Sequence, residues 1–99
     1  MTIHTASQGQ VTRPEAETLA LSALGWLLGD EKRADRLLDL TGLTADTLRN
    51  NLTDPAVLPE VLGAVLEFLA RHEPDLIGAA GALQVDPATL IAAQEVLAR

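Results

Sequence analysis

The amino-acid sequence predicts an all-α protein, a compact bundle of about six helices. Alanine and leucine are abundant, valine and isoleucine are sparse, and tyrosine is absent, which favours helices over strands. Apolar residues recur at helical spacing, and proline, glycine and capping residues separate the helical stretches. Ninety-nine residues are enough for one domain with a modest core.

The first predicted helix runs from its N-cap, Thr12, to Leu28, and we expect it at the centre of the fold. Its segment Leu19–Glu31, LALSALGWLLGDE, is apolar over most of its circumference. A helix of this kind is covered by neighbours on more than one side. Gly25 costs about 1 kcal/mol in a helix interior relative to alanine, so we expect either a close approach of another helix there or room for the indole of a neighbour. Trp26 is expected to anchor the core.

Five further helices are predicted, each introduced by a capping residue or by a proline in its first turn. Their predicted bounds are Glu31–Thr41, Ala45–Leu52, Pro59–Arg71, Pro74–Leu83 and Pro87–Ala98. We expect residues 1–12 to form a flexible N-terminal tail and residues 13–99 to form the single helical domain. The expected core consists of Leu24, Trp26, Leu27, Leu38, Leu40, Leu48, Val65, Leu66, Phe68, Leu69 and Leu90.

The two halves of the chain repeat under a shift of 42 residues. The shift places Trp26 on Phe68 and the capping residue Thr44 on Asp86. The leucine pairs that it aligns are Leu24 with Leu66, Leu27 with Leu69 and Leu48 with Leu90. The repeat predicts two three-helix halves related by a pseudo-two-fold axis. Because there is no third copy, the pattern does not predict a solenoid.

Composition excludes several classes of function. With no cysteine, the chain has no disulfide, thiolate metal ligand or thiol nucleophile, which suits a cytoplasmic protein. Its acidic net charge of −7 disfavours nucleic acid and anionic membranes as partners. No apolar run reaches the roughly 20 residues that span a bilayer, and no secretory signal is recognisable.

Residues that could perform chemistry are few. The histidines are His4 in the predicted tail and His72 at a helix end, and Ser22 lies in the predicted core helix. No nucleophile–histidine–carboxylate set emerges, so the sequence predicts no enzyme and no cofactor. His72, Glu73 and Asp75 carry metal-ligand atoms, but their spacing matches no metal motif. A helix-end histidine beside cap carboxylates is the simpler interpretation.

One segment, Leu37–Leu48 (LLDLTGLTADTL), has the spacing of a helix-turn-helix unit, with Gly42 in the turn and Thr44 as a cap. A transcription-related DNA-binding protein is therefore the alternative function. Its nucleic-acid contacts would be Lys32, Arg33, Arg36, Arg49, Asn50 and Asn51. Nearby acidic residues offset these cations, so we interpret the charges of the second helix as a solvated face. We expect no measurable binding to mixed duplex DNA at about 100 mM salt.

The function that the sequence favours is a small non-enzymatic module for protein interaction or regulation. Hydrophobic residues make up 47% of this short chain, an excess of apolar surface to cover. Some of these residues lie off the predicted core stripes. The expected interaction surface consists of Leu21, Trp26, Leu28 and Val57. The expected partner is another protein or a second copy of the chain.

Four segments together resemble a known family. They are ALGWLLGDE at Ala23–Glu31, LLDLTGL at Leu37–Leu43, DTLR at Asp46–Arg49 and the Asp54–Pro55 pair. They resemble a small bacterial family of uncharacterised proteins, a domain of unknown function, over about residues 16–98. The resemblance implies a short, intracellular, all-helical bacterial protein. It implies no activity, cofactor or catalytic residue.

Overall fold

A computed structural model describes residues 11–99 and contains six helices and no strand within that range. The all-α prediction is therefore confirmed. The helices are α1 (Arg13–Leu28), α2 (Glu31–Thr41), α3 (Ala45–Leu52), α4 (Leu58–Ala70), α5 (Glu73–Leu83) and α6 (Pro87–Leu97). Most of the predicted tail, including His4, lies outside the described residues. Val11, which the sequence assigned to the tail, packs half-buried against the core.

Local sequence signals fix most of the helix ends. Thr12 and Glu15 form a capping box at the start of α1, with both reciprocal hydrogen bonds present. Asp30 caps α2 by accepting a hydrogen bond of 3.1 Å from the amide three residues on. Gly42 ends α2 with φ of 77°, a left-handed conformation that favours glycine. Asp86 stands at the predicted cap of α6, but its side chain makes no capping hydrogen bond.

The core lies where α1 and α4 pack against each other and α6 packs against both. Leu27, Leu66 and Leu69 are among its largest fully buried side chains. Most of the predicted core is confirmed as buried, while Trp26 and Leu38 are half-buried against it.

The prediction of Leu40 as a core residue is wrong. Its exposed fraction is 65%, and Leu37, three residues earlier, is the fully buried leucine of α2. Leu40 lies in the last turn of α2, where the helix runs beside an open groove instead of beneath another helix. Helical spacing predicts which residues share a face, but it does not predict where the covering neighbour ends.

The internal repeat is visible in the bounds of the helices. Under the 42-residue shift, α2 coincides with α5, α1 and α4 end together, and α3 and α6 begin together. Gly42 and Gln84 correspond under the same shift, and both adopt left-handed backbone conformations. The third helices differ: α3 has 8 residues and α6 has 11. Whereas α6 packs against both α1 and α4, the main contact of α3 is with α4 alone.

Candidate functional site

An open groove runs along one face of α4, and we call it the α4 groove. It has a larger part of about 440 Å³ and an adjoining part of about 140 Å³, which share Thr41 and Ala64 in their walls. Its lining residues from α4 and from the C-cap that follows the helix are Glu60, Val61, Ala64, Glu67, Phe68 and Arg71. Its other lining residues are Leu40, Thr41, Leu43, Asn51 and His72.

The α4 residues of the groove lie on a single face of the helix. They recur at positions i, i+1, i+4, i+7, i+8 and i+11, the spacing of one helical stripe. The stretch from Glu60 to Arg71 is about 16 Å long at the helical rise of 1.5 Å per residue. Val61 and Phe68 are buried in its floor, and Ala64 is half-buried between them. The groove therefore has an apolar floor about three helical turns long, and its α4 side also carries the charged residues Glu60, Glu67 and Arg71.

Leu40 forms the exposed apolar wall of the groove. Its exposed fraction of 65% is the largest among the exposed large hydrophobic residues of the described chain. Full burial of a leucine side chain is favourable by roughly 1.5–3 kcal/mol. Most of that free energy is not realised in the isolated chain, so a ligand that covers Leu40 can gain it. Thr41, beside it, donates its hydroxyl hydrogen to the Leu37 carbonyl oxygen at 2.6 Å.

His72 closes one end of the groove and connects it to a buried ion pair. Its ring stacks on Phe68, with centroids 5.5 Å apart and planes 7° from parallel. Its Nδ1 lies 3.1 Å from Asp75 Oδ2 but is not aligned for a hydrogen bond, so this buried nitrogen has no hydrogen-bond partner. The imidazole is thus held by stacking and by packing against the carboxylate.

Asp75 is the buried carboxylate of this pair, with an exposed fraction of 3%. Arg36 from α2 donates two hydrogen bonds to it, from Nε at 3.0 Å and from an Nη at 2.9 Å. These hydrogen bonds raise the pKa of Arg36 above its ordinary value, so the guanidinium stays protonated. Arg36 therefore pairs with a buried carboxylate of α5 while its own side chain stays 40% exposed. The pair ties α2 to α5 across 39 residues of sequence.

The exposed rim of the groove carries a second ion pair, between Arg71 and Glu67 at 3.0 Å. Both side chains are exposed, so this pair adds little to stability.

The predicted interaction residues do not form one surface with the groove. Leu21 and Leu28 lie on α1 with exposed fractions of 47% and 42%, and neither lines the groove. Val57 is half-buried before α4. Trp26 packs against Gly78 of α5, where an added Cβ would lie 2.7 Å from the indole ring.

The close approach expected at Gly25 is absent from the described chain. Nothing lies within 4 Å of a Cβ built on Gly25. The close approach occurs instead at Gly78, which receives the indole ring of Trp26. Trp26 thus fills the α1–α5 junction and is not available as a flat exposed surface.

The residues of the helix-turn-helix alternative are partly engaged within the chain. The Arg33 guanidinium stacks over the Trp26 ring at 3.9 Å and donates hydrogen bonds of 3.2 and 2.6 Å to the Trp26 carbonyl oxygen. Arg49 pairs with Asp46 at 2.9 Å on the exposed face of α3. Lys32 and Asn50 are exposed, and Asn51 lines the smaller part of the α4 groove. The cations do not form a continuous stripe.

No metal centre is found among the described residues: no three ligating side chains there come close enough to hold an ion. Of the three candidates, Asp75 binds Arg36 and packs against His72, whereas Glu73 is exposed. Sequence reasoning missed the α4 groove because it placed Leu40 in the core. The internal repeat contained a signal that position 40 does not belong to the core. The 42-residue shift aligns Leu40 with Ala82, a smaller residue that is also exposed.

Comparison with known proteins identifies one family. A family model described as "Protein of unknown function (DUF3572)" matches residues 13–99, a range that contains all six helices. No curated protein and no solved structure matches the chain. Among residues 11–99, no single helix is long and apolar enough to cross a membrane. The α5–α6 pair reaches that length and composition only across a bend of 104°.

Proposed function

The chain belongs to the DUF3572 family, whose function is unknown, and on that premise we propose that it is a non-enzymatic protein-interaction module. The α4 groove is its binding surface, and an apolar segment of another protein is its ligand. The resemblance to bacterial proteins and the absence of cysteine support a place in the bacterial cytoplasm. The identity of the protein that it binds would determine its regulatory role.

The observation that supports this proposal is the pairing of Leu40 with an open trough. A leucine that is 65% exposed stands beside a floor that contains buried Val61 and Phe68. Apolar grooves of this kind bind the apolar face of a helix, with anchors at helical spacing. The exposed leucine supplies contact area, and the flanking charges supply orientation.

The chemistry of the groove favours binding over catalysis. Its only hydroxyl, on Thr41, donates its hydrogen to the Leu37 carbonyl oxygen. His72 is stacked on Phe68, and its Nδ1 faces the carboxylate of Asp75. A histidine–carboxylate pair without a nucleophile within reach lacks the arrangement that covalent catalysis requires.

Electrostatics favour a protein partner over DNA. Non-specific DNA affinity comes almost entirely from cations that neutralise phosphates. Arg36 is bound to Asp75, Arg33 covers Trp26, and Arg49 pairs with Asp46. With a net charge of −7, the chain has little positive charge to offer.

Site-specific photocrosslinking in the native host tests the proposal. A photocrosslinking amino acid replaces Leu40 in one strain and Ile77 in a matched strain, since both side chains are exposed, at 65% and 54%, and only Leu40 lines the groove. We expect a discrete protein adduct from position 40 that is absent from position 77, with the crosslink mapped to an apolar segment of the partner. Equal adducts at both positions, no adduct, or an adduct to nucleic acid would contradict the proposal.

A further inference from the structure

We propose that His72 determines the specificity of the α4 groove, because Asp75 holds its imidazole in the Nδ1–H tautomer and leaves Nε2 as a hydrogen-bond acceptor. The group that this acceptor selects is an apolar side chain with one N–H or O–H donor, such as the indole of tryptophan or the phenol of tyrosine. The inference rests on the proposed function, since it specifies which group of the partner protein the groove recognises.

The buried carboxylate of Asp75 offers His72 only lone pairs. Arg36 donates hydrogen bonds to both of its oxygens, from Nε to Oδ2 at 3.0 Å and from an Nη to Oδ1 at 2.9 Å. A carboxyl group that accepts from a guanidinium at both oxygens is ionised and has no hydrogen to donate. Because Asp75 is buried, little water screens its charge from the neighbouring imidazole.

The contact between His72 and Asp75 determines which ring nitrogen carries the hydrogen. Nδ1 of His72 is buried and lies 3.1 Å from Oδ2 of Asp75. A neutral imidazole has a hydrogen on one nitrogen and a lone pair on the other. A lone pair on Nδ1 would face a negatively charged oxygen, whereas an N–H there is attracted to that oxygen even without full hydrogen-bond alignment. The carboxylate therefore favours the Nδ1–H tautomer.

The second ring nitrogen, Nε2, then carries the lone pair and is accessible. Among residues 11–99, Nδ1 of His72 is the buried side-chain atom that lacks a hydrogen-bond partner, and Nε2 makes no hydrogen bond there. The side chain of His72 is 30% exposed and lines the larger part of the α4 groove. Nε2 is therefore an acceptor that a ligand in the groove can reach.

The surroundings of this acceptor indicate the class of group that binds it. The ring of His72 stacks on Phe68, and exposed Leu40 lines the same part of the groove. These surfaces favour an apolar body, and a single acceptor favours one N–H or O–H donor on that body. Indole and phenol side chains combine both features. A purely aliphatic side chain would cover the floor but would leave Nε2 without a hydrogen-bond partner.

The first test measures the tautomer of His72 in the full chain without a ligand. Long-range proton–nitrogen correlation spectra at about pH 8.5, well above the ordinary histidine pKa of about 6.5, show which ring nitrogen carries the hydrogen. The chain has one other histidine, His4, so the His72→Phe variant assigns the signals. We expect His72 to be the Nδ1–H tautomer, which is the minor form of free histidine in water. The Nε2–H tautomer in the parent chain would overturn the inference.

Matched variants test whether Asp75 sets the tautomer. Asp75→Asn should shift His72 toward Nε2–H, because the carboxylate is lost. Glu73→Gln removes an exposed carboxylate from the same turn of α5 and should leave His72 as Nδ1–H. An unchanged tautomer in folded Asp75→Asn, or an equal shift in both variants, would overturn the inference. If Asp75→Asn fails to fold, the tautomer of the parent chain and the ligand test below remain decisive.

Indole and 1-methylindole are a matched pair of probes for the acceptor, because the methyl group removes the N–H donor and keeps the apolar ring. Titrations at the same pH, followed by the amide signals of Leu40, Phe68 and His72, measure both affinities. We expect indole to bind more tightly and to shift the Nε2 signal of His72. The ratio of the two affinities should fall about two- to tenfold in His72→Phe, which keeps an aromatic ring but loses the acceptor.

Three results of the titration would overturn the inference. They are equal affinities for the two probes in the parent chain, no binding of either probe, and a preference for indole that persists in His72→Phe. The last of these would assign the acceptor to another lining group, such as the Glu67 carboxylate.

The outcomes separate this inference from the proposed function. The tautomer and the probe affinities are measured on the chain alone, whereas the photocrosslink at position 40 requires the native partner. A partner adduct together with an Nε2–H tautomer, or with no preference for indole, would retain the interaction module and overturn the role of His72. A preference for indole without any partner adduct would assign the acceptor to a small-molecule ligand and overturn the protein partner.

Discussion

The face of α4 that forms the groove has a counterpart on α1, 42 residues earlier in the chain. On α1 the corresponding positions carry mostly small or polar residues, with Trp26 at the place of Phe68. Trp26 packs against Gly78 of α5 and is covered by the Arg33 guanidinium. Phe68 is smaller than tryptophan, and its ring stacks on that of His72. The α1–α5 junction is filled, whereas the α2–α4 junction stays open as the groove.

Under the proposed function, one repeated scaffold supplies a filled junction in one half and a binding surface in the other. The helix bounds and the left-handed residues Gly42 and Gln84 are common to both halves. What differs is side-chain volume at a few corresponding positions. Trp26 fills one junction, and the change from Ala82 to Leu40 places an exposed leucine beside the other. The groove therefore depends on residues that depart from the repeat.

The largest expected change in the free energy of unfolding comes from truncating a core leucine in the third helix of each half, α3 and α6. Leu48 of α3 and Leu90 of α6 correspond under the shift, and both are buried. Because α6 packs against two long helices and α3 mainly against one, Leu90 loses more contacts on truncation. We expect Leu90→Ala to lower the free energy of unfolding by about 4 kcal/mol and Leu48→Ala by about 2 kcal/mol. Guanidinium denaturation followed by Trp26 fluorescence measures both, and equal losses would argue that the two halves pack alike.

A smaller change in stability should distinguish the filled α1–α5 junction from an open position on α5. An alanine Cβ at position 78 would lie 2.7 Å from the Trp26 ring, whereas at Gly81 it meets nothing within 4 Å. We therefore expect Gly78→Ala to destabilise by about 1–2 kcal/mol and to shift the Trp26 emission. Gly81→Ala, the matched control on the same helix, should stabilise by about 1 kcal/mol, since alanine is the better helix former. Stabilisation by both substitutions would show that the indole does not depend on the space at Gly78.

The sequence predicted the helices and their ends well, because the signals that determine them are local. The capping box at Thr12, the cap at Asp30 and the turn at Gly42 are short-range hydrogen-bonding patterns, and the structure confirms all three. The candidate site was not predicted because it depends on long-range packing. The exposure of Leu40 is decided by where neighbouring helices end, and the Arg36–Asp75 pair joins residues 39 apart in sequence. Helical periodicity contains neither kind of information.

The affinity of a stapled helical peptide with leucine at i, i+4, i+7 and i+11 for two matched variants of the chain tests the central claim most directly. Leu40→Glu and Ile77→Glu both replace an exposed apolar side chain with a carboxylate, and only the first lies in the α4 groove. Both should unfold within about 0.5 kcal/mol of the parent chain, because both sites are exposed. We predict that Leu40→Glu weakens binding by about 10- to 100-fold, the loss of one buried leucine, and that Ile77→Glu leaves it unchanged. Unchanged affinity in Leu40→Glu, or an equal loss in both variants, would contradict the assignment of the α4 groove as the binding surface.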